Sequence, residues 1–317
     1  MKCELTRRDV LIGAAGAAAS AFGGGLGKAV SFRVPGGACD CHTHVFGDPA
    51  HFPFTPSRTY TPGPAPVDEM RALHRSLQVS RVVIVQPSVY GTDNACMLDA
   101  IRQLGPRARG IAVIGEGTSD ADLDRMHRAG IRGIRVNLET AGQTDPAIAR
   151  QRFLAATTRI ARRPWHVQVF TRPSVIAALA DDLRSAPVPI VFDHFGGAQG
   201  AGGVEQPGFD VLRSLVQAGS AYVKLSAPYR GSSQGPDYPD MVPLAKALVA
   251  ANPKRILWGS DWPHPNTSPD APRTPAGTAP RINVDEVQIF NRVADWAPDA
   301  SLRKLVLVDN PAGLYAW

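Results

Sequence analysis

Strand-length apolar runs alternate with helix-patterned segments eight times along this chain, and that rhythm restricts its fold more than any single motif. The runs are residues 38–44, 79–88, 109–114, 131–138, 165–171, 189–196, 221–227 and 255–261. Most lack strict alternation of polar and apolar positions, as strands covered on both faces do. Helical signals fall between them. Ser119 and Asp120 open a segment in which Leu123 and Met126 share a face before Gly130, and Asp145 precedes a long stripe through Phe153, Leu154, Thr157 and Ile160. Pro173 takes a first-turn position ahead of Val175, Leu179 and Leu183, and Leu212, Leu215 and Val216 precede Gly219. Strand followed by helix, eight times over, predicts a single-domain α/β protein, a (β/α)8 TIM barrel. An open doubly wound sheet is the alternative. The lack of a Gly-x-Gly-x-x-Gly turn after the first run weighs against its dinucleotide-binding form.

With 317 residues, 44% of them apolar, the chain can bury a large core. Its 34 Lys and Arg against 28 Asp and Glu give a net charge of +6. The basic residues are scattered, without runs or interleaved aromatics, which argues against nucleic acid and for a small anionic substrate. Residues 1–30 read as a twin-arginine signal: Arg7 and Arg8, a mildly apolar stretch, then small residues around Ala19-Ser20-Ala21. That predicts export to the periplasm, or a cytoplasmic protein if the signal is unused, with the barrel in residues 31–317. Residues 10–30 hold too much Gly and Ala for a stable membrane span. Of the four cysteines, Cys3 falls in the signal, Cys39 and Cys41 are too close along one strand for an unstrained bridge, and Cys96 lies in a helical pattern. Neither a disulfide framework nor a zinc-finger spacing is present. Assembly into a homo-oligomer is left open.

The chemistry-bearing residues gather at strand ends. Alternation along the first strand puts His42 and His44 on one face with Asp40, and Cys39, Cys41 and Thr43 on the other, with Cys41 packed under a helix. Two imidazoles offered to one volume suit a divalent metal or acid–base work at a carbonyl. His194 ends the sixth run and Asp261 the eighth, so a closed barrel would bring all four residues to its C-terminal mouth. Two long loops, residues 45–67 and 262–284, would wall that mouth. Lys224, between Val223 and Leu225, would face either the interior or the rim.

The segments 40–62, 86–94 and 132–137, with Asp193-His194, Gly259-Ser260-Asp261-Trp262-Pro263-His264-Pro265-Asn266 and the stretch from Asn310-Pro311 to Tyr315, resemble the amidohydrolase superfamily, and within it the 2-pyrone-4,6-dicarboxylate lactonase-like group. The resemblance spans nearly all of the chain after the signal. It implies a distorted barrel that adds water to a lactone carbonyl. By the same resemblance Asp261 is the general base and His42, His44 and His194 surround the carbonyl and water. Tyr60, Ser88, Arg135, Arg230 and His264 then contact the carboxylates and ring oxygens of a small anionic lactone. For Arg230, in a loop, surface solvation is an equal alternative.

Many relatives hold zinc with the His-x-His pair, a strand-five histidine and the strand-eight aspartate, and others work without metal. Here the strand-five histidine, His166, starts its strand and should lie at the barrel floor. A single divalent metal, zinc by preference, would therefore use His42, His44, His194 and Asp261. The chain departs from the lactonase pattern at Leu138-Glu139-Thr140-Ala141, at Phe170 and at Gly197, where basic or hydroxyl contacts are missing. A muconolactone or sulfonated relative fits better than the pyrone dicarboxylate. Two other readings remain: a zinc-dependent decarboxylase of an aromatic or unsaturated acid, and a periplasmic organic-acid binding protein.

Overall fold

A computed structural model describes residues 29–267 and 277–317; the twin-arginine segment lies outside them, apart from its last two positions. Eight parallel strands follow in chain order: β1 (Cys39–Thr43), β2 (Arg81–Val85), β3 (Ala108–Ala112), β4 (Ile131–Asn137), β5 (His166–Phe170), β6 (Ile190–Phe192), β7 (Ala221–Ser226) and β8 (Ile256–Gly259). Each pairs with the next. The circle closes just beyond β8, where Asp261 N–H donates to His42 O at 2.8 Å and His44 N–H to Trp262 O at 2.7 Å. The expected (β/α)8 barrel is the observed fold.

Local chemistry sets the helices that cover it. Ser119 caps the helix Asp120–Arg128 in a reciprocal box with Asp122, and the Asp145 side chain accepts from Ala147 N–H at the start of Pro146–Ile160, each satisfying an otherwise orphaned donor. In Phe209–Gln217 the side chains of Phe209, Leu212, Leu215 and Val216 are buried, each contributing roughly 1.5–3 kcal/mol of apolar transfer. The stripe Val175–Leu179–Leu183 is split between two short helices, Pro173–Ala178 and Ala180–Arg184, hinged at Leu179. None of the described helices is long and apolar enough to cross a membrane.

One expectation is corrected. β1 carries an irregularity between Asp40 and Thr43, and an extra residue in a strand resets which face its neighbours take. Cys39 and Cys41 therefore face the barrel interior, packed with Val83, Val85, Ile111, Val191, Leu257 and Tyr315, not a covering helix. Asp40 does not share the face of His42. It turns to the helix Val67–Ser76, 3.2 Å from His74 Nε2, and its Oδ1 accepts the N–H groups of His42 (3.1 Å) and Ser260 (2.9 Å). Asp40 thus straps β1 to the end of β8.

At the opposite end the C-terminal helix Asn310–Tyr315 plugs the floor: Asn310 donates to the Ile256 and Pro253 carbonyls, and Tyr315 packs edge-on against His166 at 5.3 Å. The two long loops meet at the mouth as expected, with Thr61–Pro62 paired to Thr278–Ala279 and Pro265 bridged to Arg281.

Candidate active site

His42 is the last residue but one of β1, His44 lies one residue past β1, and His194 and Asp261 each lie two past β6 and β8. Asp261 and His194 take left-handed backbone angles, φ 63° and 46°, which cost a non-glycine residue of order 1–3 kcal/mol and concentrate where geometry matters for function. The barrel brings all four together. The Nε2 atoms of His44, His42 and His194 stand 3.4, 3.5 and 3.8 Å from one atom, Asp261 Oδ1.

The other carboxylate oxygen is anchored. Asp261 Oδ2 accepts from Tyr229 OH at 2.7 Å and Arg230 Nε at 2.9 Å. Burial by itself would raise the Asp261 carboxyl, but Arg230 and the surrounding imidazoles outweigh it and hold the group well below its usual value. Asp261 is therefore ionised, with one oxygen fixed and one open to a proton. Burial pushes His42 down to about 3 and His194 well below its usual value, so both are neutral.

Below this lies a second buried carboxylate. Asp193 Oδ2 accepts from Arg135 Nε (3.2 Å), Arg135 Nη2 (3.1 Å) and Gln168 Nε2 (3.1 Å), while Oδ1 is 3.1 Å from His42 Nδ1 and 3.4 Å from Lys224 Nζ. Lys224 donates to Gln168 Oε1 at 2.6 Å. Burial opposes ionisation of Asp193, and its neighbours His42, Lys224 and Arg135 overcome it. Because His42 is neutral, the charge that does so belongs to Lys224 and Arg135. His42 Nδ1 lies between Asp193 Oδ1, 3.1 Å away, and Lys224 Nζ, 3.3 Å away, and His44 Nδ1–H donates to the Val85 carbonyl at 2.8 Å. Both rings turn Nε2 to Asp261.

The family model described as Amidohydrolase matches residues 39–317. The chain belongs to the amidohydrolase family. It is 35% identical over 293 residues to a 2-pyrone-4,6-dicarboxylate hydrolase of Comamonas testosteroni, covering 90% of this chain and 92% of that protein. To a 4-sulfomuconolactone hydrolase of Rhizobium radiobacter it is 36% identical over 286 residues, again 90% and 92%. A solved Pseudomonas putida structure, described as a candidate 2-pyrone-4,6-dicarboxylic acid hydrolase, superposes with TM-score 0.73 at 30% identity, over 90% of this chain and 98% of that one.

In this amidohydrolase Tyr60, Ser88, Arg135 and Arg230 line one inner pocket with His44, His194 and Asp261. Tyr60 is pushed up to about 12 by burial, so its hydroxyl keeps its proton. His264 is engaged elsewhere, with Nε2 2.6 Å from Glu286 and Nδ1 3.0 Å from Tyr229 OH. His166 begins β5 beside Tyr315, at the floor. Lys224 faces the interior, fully buried. An outer cleft of about 560 Å³ shares His194, Arg230, Phe170 and Thr140 with the inner pocket and extends past Glu139 and Arg172.

Sequence reasoning missed Asp193, Gln168 and Tyr229. A glutamine amid the apolar residues of β5 and an aspartate directly before His194 were the available signals. The departure at Gly197 has a steric reason: its φ is 76° and a Cβ there would lie 2.2 Å from Thr171 O, so no larger side chain fits this backbone.

The donor set suits a divalent cation. Ligand atoms of His42, His44 and Asp261 lie within 4.8 Å of one another, as do those of His42, Asp193 and His194. His42 Nε2 and Asp261 Oδ1 are buried without a hydrogen-bond partner among the described residues. Neutral imidazole nitrogens together with a carboxylate oxygen form an acceptable ligand set for such a cation.

Proposed function

We propose that this protein is a hydrolase that opens a lactone carrying an anionic group, by adding water to the ring carbonyl. The observation that carries the reading is the ionised Asp261 with Oδ1 open among three imidazoles, at the inner end of a cleft. Relatives named as lactone hydrolases, at 33–36% identity, support the reaction class.

In this mechanism the substrate enters through the outer cleft and seats its carbonyl beside His42, His44 and His194. Asp261 accepts a proton from the attacking water, and the new C–O bond gives a tetrahedral adduct. The adduct collapses by breaking the ring C–O bond, and the proton held by Asp261 passes to the departing ring oxygen. Arg230 and Tyr229 hold the carboxylate still through Oδ2. Arg135, whose Nη1 edge is not used by Asp193, receives the substrate's anionic group. His42, His44, His194 and Asp261 would hold a divalent metal, which when bound would lower the pKa of water and polarise the carbonyl. The paired Arg7 and Arg8 support export as a folded protein to the periplasm.

Hydrolysis of a muconolactone in H2(18)O should place one labelled oxygen in the product carboxylate. Asp261→Asn should abolish turnover while leaving ligand affinity within a few-fold. Release of carbon dioxide from an aromatic acid, with no lactone opened, would replace this reading with decarboxylation.

A further inference from the structure

Among the described residues, the three arginines lining the two cavities present the same edge to a protein carboxylate: Arg135 to Asp193, Arg230 to Asp261 and Arg172 to Glu139, each through Nε and Nη2. What remains of each charge differs. Arg230 also donates from Nη1 to Thr267 and from Nη2 to the Pro265 carbonyl, so its whole fork is committed. Asp193 is shared between Arg135 and Lys224, two cations against one carboxylate, which leaves the Arg135 side with a positive excess. Arg172 has one carboxylate to itself. Glu139 accepts from both Arg172 Nε, at 3.1 Å, and Arg172 Nη2.

Both members of that pair line the outer cleft, Glu139 just past the end of β4 and Arg172 just past the end of β5. The pair is neutral. Apart from Arg230, whose fork is committed, the cleft's other polar lining residues among the described residues include the uncharged Thr140, Ser174, Gln199 and Gln206.

We propose that Glu139 is a specificity-determining residue that cancels Arg172 and limits this site to lactones with a single anionic group. The anion of such a substrate sits at Arg135, and the far end of the ring meets a neutral, hydrogen-bonding wall. A second carboxylate or sulfonate at that wall would lose its hydration and face Glu139 without gaining a free cation. This rests on the lactonase reading for the reaction but not for the charge selection.

Two substitutions test it, because a merely structural ion pair would suffer alike from losing either partner. Glu139→Gln frees Arg172, and Arg172→Gln leaves Glu139 uncompensated. The readout is the ratio of kcat/KM for 2-pyrone-4,6-dicarboxylate to that for a monoanionic muconolactone. The wild type should favour the monoanion, Glu139→Gln should raise the ratio by about fivefold, and Arg172→Gln should lower it, both effects shrinking in 1 M salt. Calorimetric binding of isophthalate against benzoate should shift in the same directions. If neither lactone is opened but the binding ratio moves oppositely in the two variants, the hydrolase reading falls and the charge filter stands. A wild-type preference for the dianion, or ratios that move together or not at all, overturns the filter.

Discussion

His42 Nε2 lies 3.5 Å from Asp261 Oδ1, and neither atom has a hydrogen-bond partner among the described residues although both are buried. The pair is set by the circle of strands: the Asp261 N–H bonds to the His42 carbonyl at 2.8 Å, so the same contact that closes the barrel also brings the imidazole to the carboxylate. Its first consequence concerns metal. Zinc should raise the unfolding midpoint of the wild type, by about 2.7 kcal/mol of stability at a hundredfold excess over its dissociation constant, and should do nothing for His42→Ala or His194→Ala. Differential scanning fluorimetry after chelation and re-addition checks this. Equal shifts in all three proteins would place the ion elsewhere.

Arg230 sets the acid limit of activity. It is the main group opposing the effect of burial on Asp261, so Arg230→Gln should move the acidic limb of kcat/KM upward in pH. Loss of a charged hydrogen-bond donor, about 1.5–3 kcal/mol, predicts a ten- to hundredfold drop at neutral pH. A limb that stays in place would separate Arg230 from the base.

The floor histidine makes stability depend on pH. Burial, reinforced by Lys224, pushes His166 down to about 3 from an ordinary 6.5. The unfolded chain therefore takes up this proton first as pH falls. The stabilisation is full above about 6.5 and is lost toward 3, at about 1.4 kcal/mol per pH unit. Urea unfolding of His166→Phe between pH 6 and 4.5 should show a slope shallower by that amount. An unchanged slope would mean that His166 is protonated in the native state.

Gly259 makes room for His42. A Cβ at this position would lie 2.6 Å from His42 Cβ and 2.8 Å from its backbone nitrogen. Gly259→Ala should cost roughly 1–3 kcal/mol of stability and, by moving His42, reduce kcat more than KM. Gly313→Ala, whose added Cβ meets nothing within 4 Å, is the neutral control. Equal behaviour of the two would remove the crowding argument.

Much of the candidate site was legible because its residues stand at ends of runs whose order along the chain is also their order around the barrel. His42, His44, His194 and Asp261 needed only the fold class to be brought together. Asp193, Gln168 and Lys224 were harder: an isolated polar residue in an apolar strand carries no sign of which face it takes or what satisfies it. The placement of Asp40 failed for a related reason, since one irregularity in β1 resets the alternation without altering the hydrophobic pattern.

Local properties, the period of apolar residues, the caps and the strand-ending motifs, determined from sequence alone that eight strands and their helices form and which end of each carries polar chemistry. Only the tertiary structure decided which carboxylate neutralises which guanidinium, because an ion pair depends on distances between segments far apart in the chain. That pairing leaves one oxygen of Asp261 open, directs His42 toward it and cancels Arg172 with Glu139.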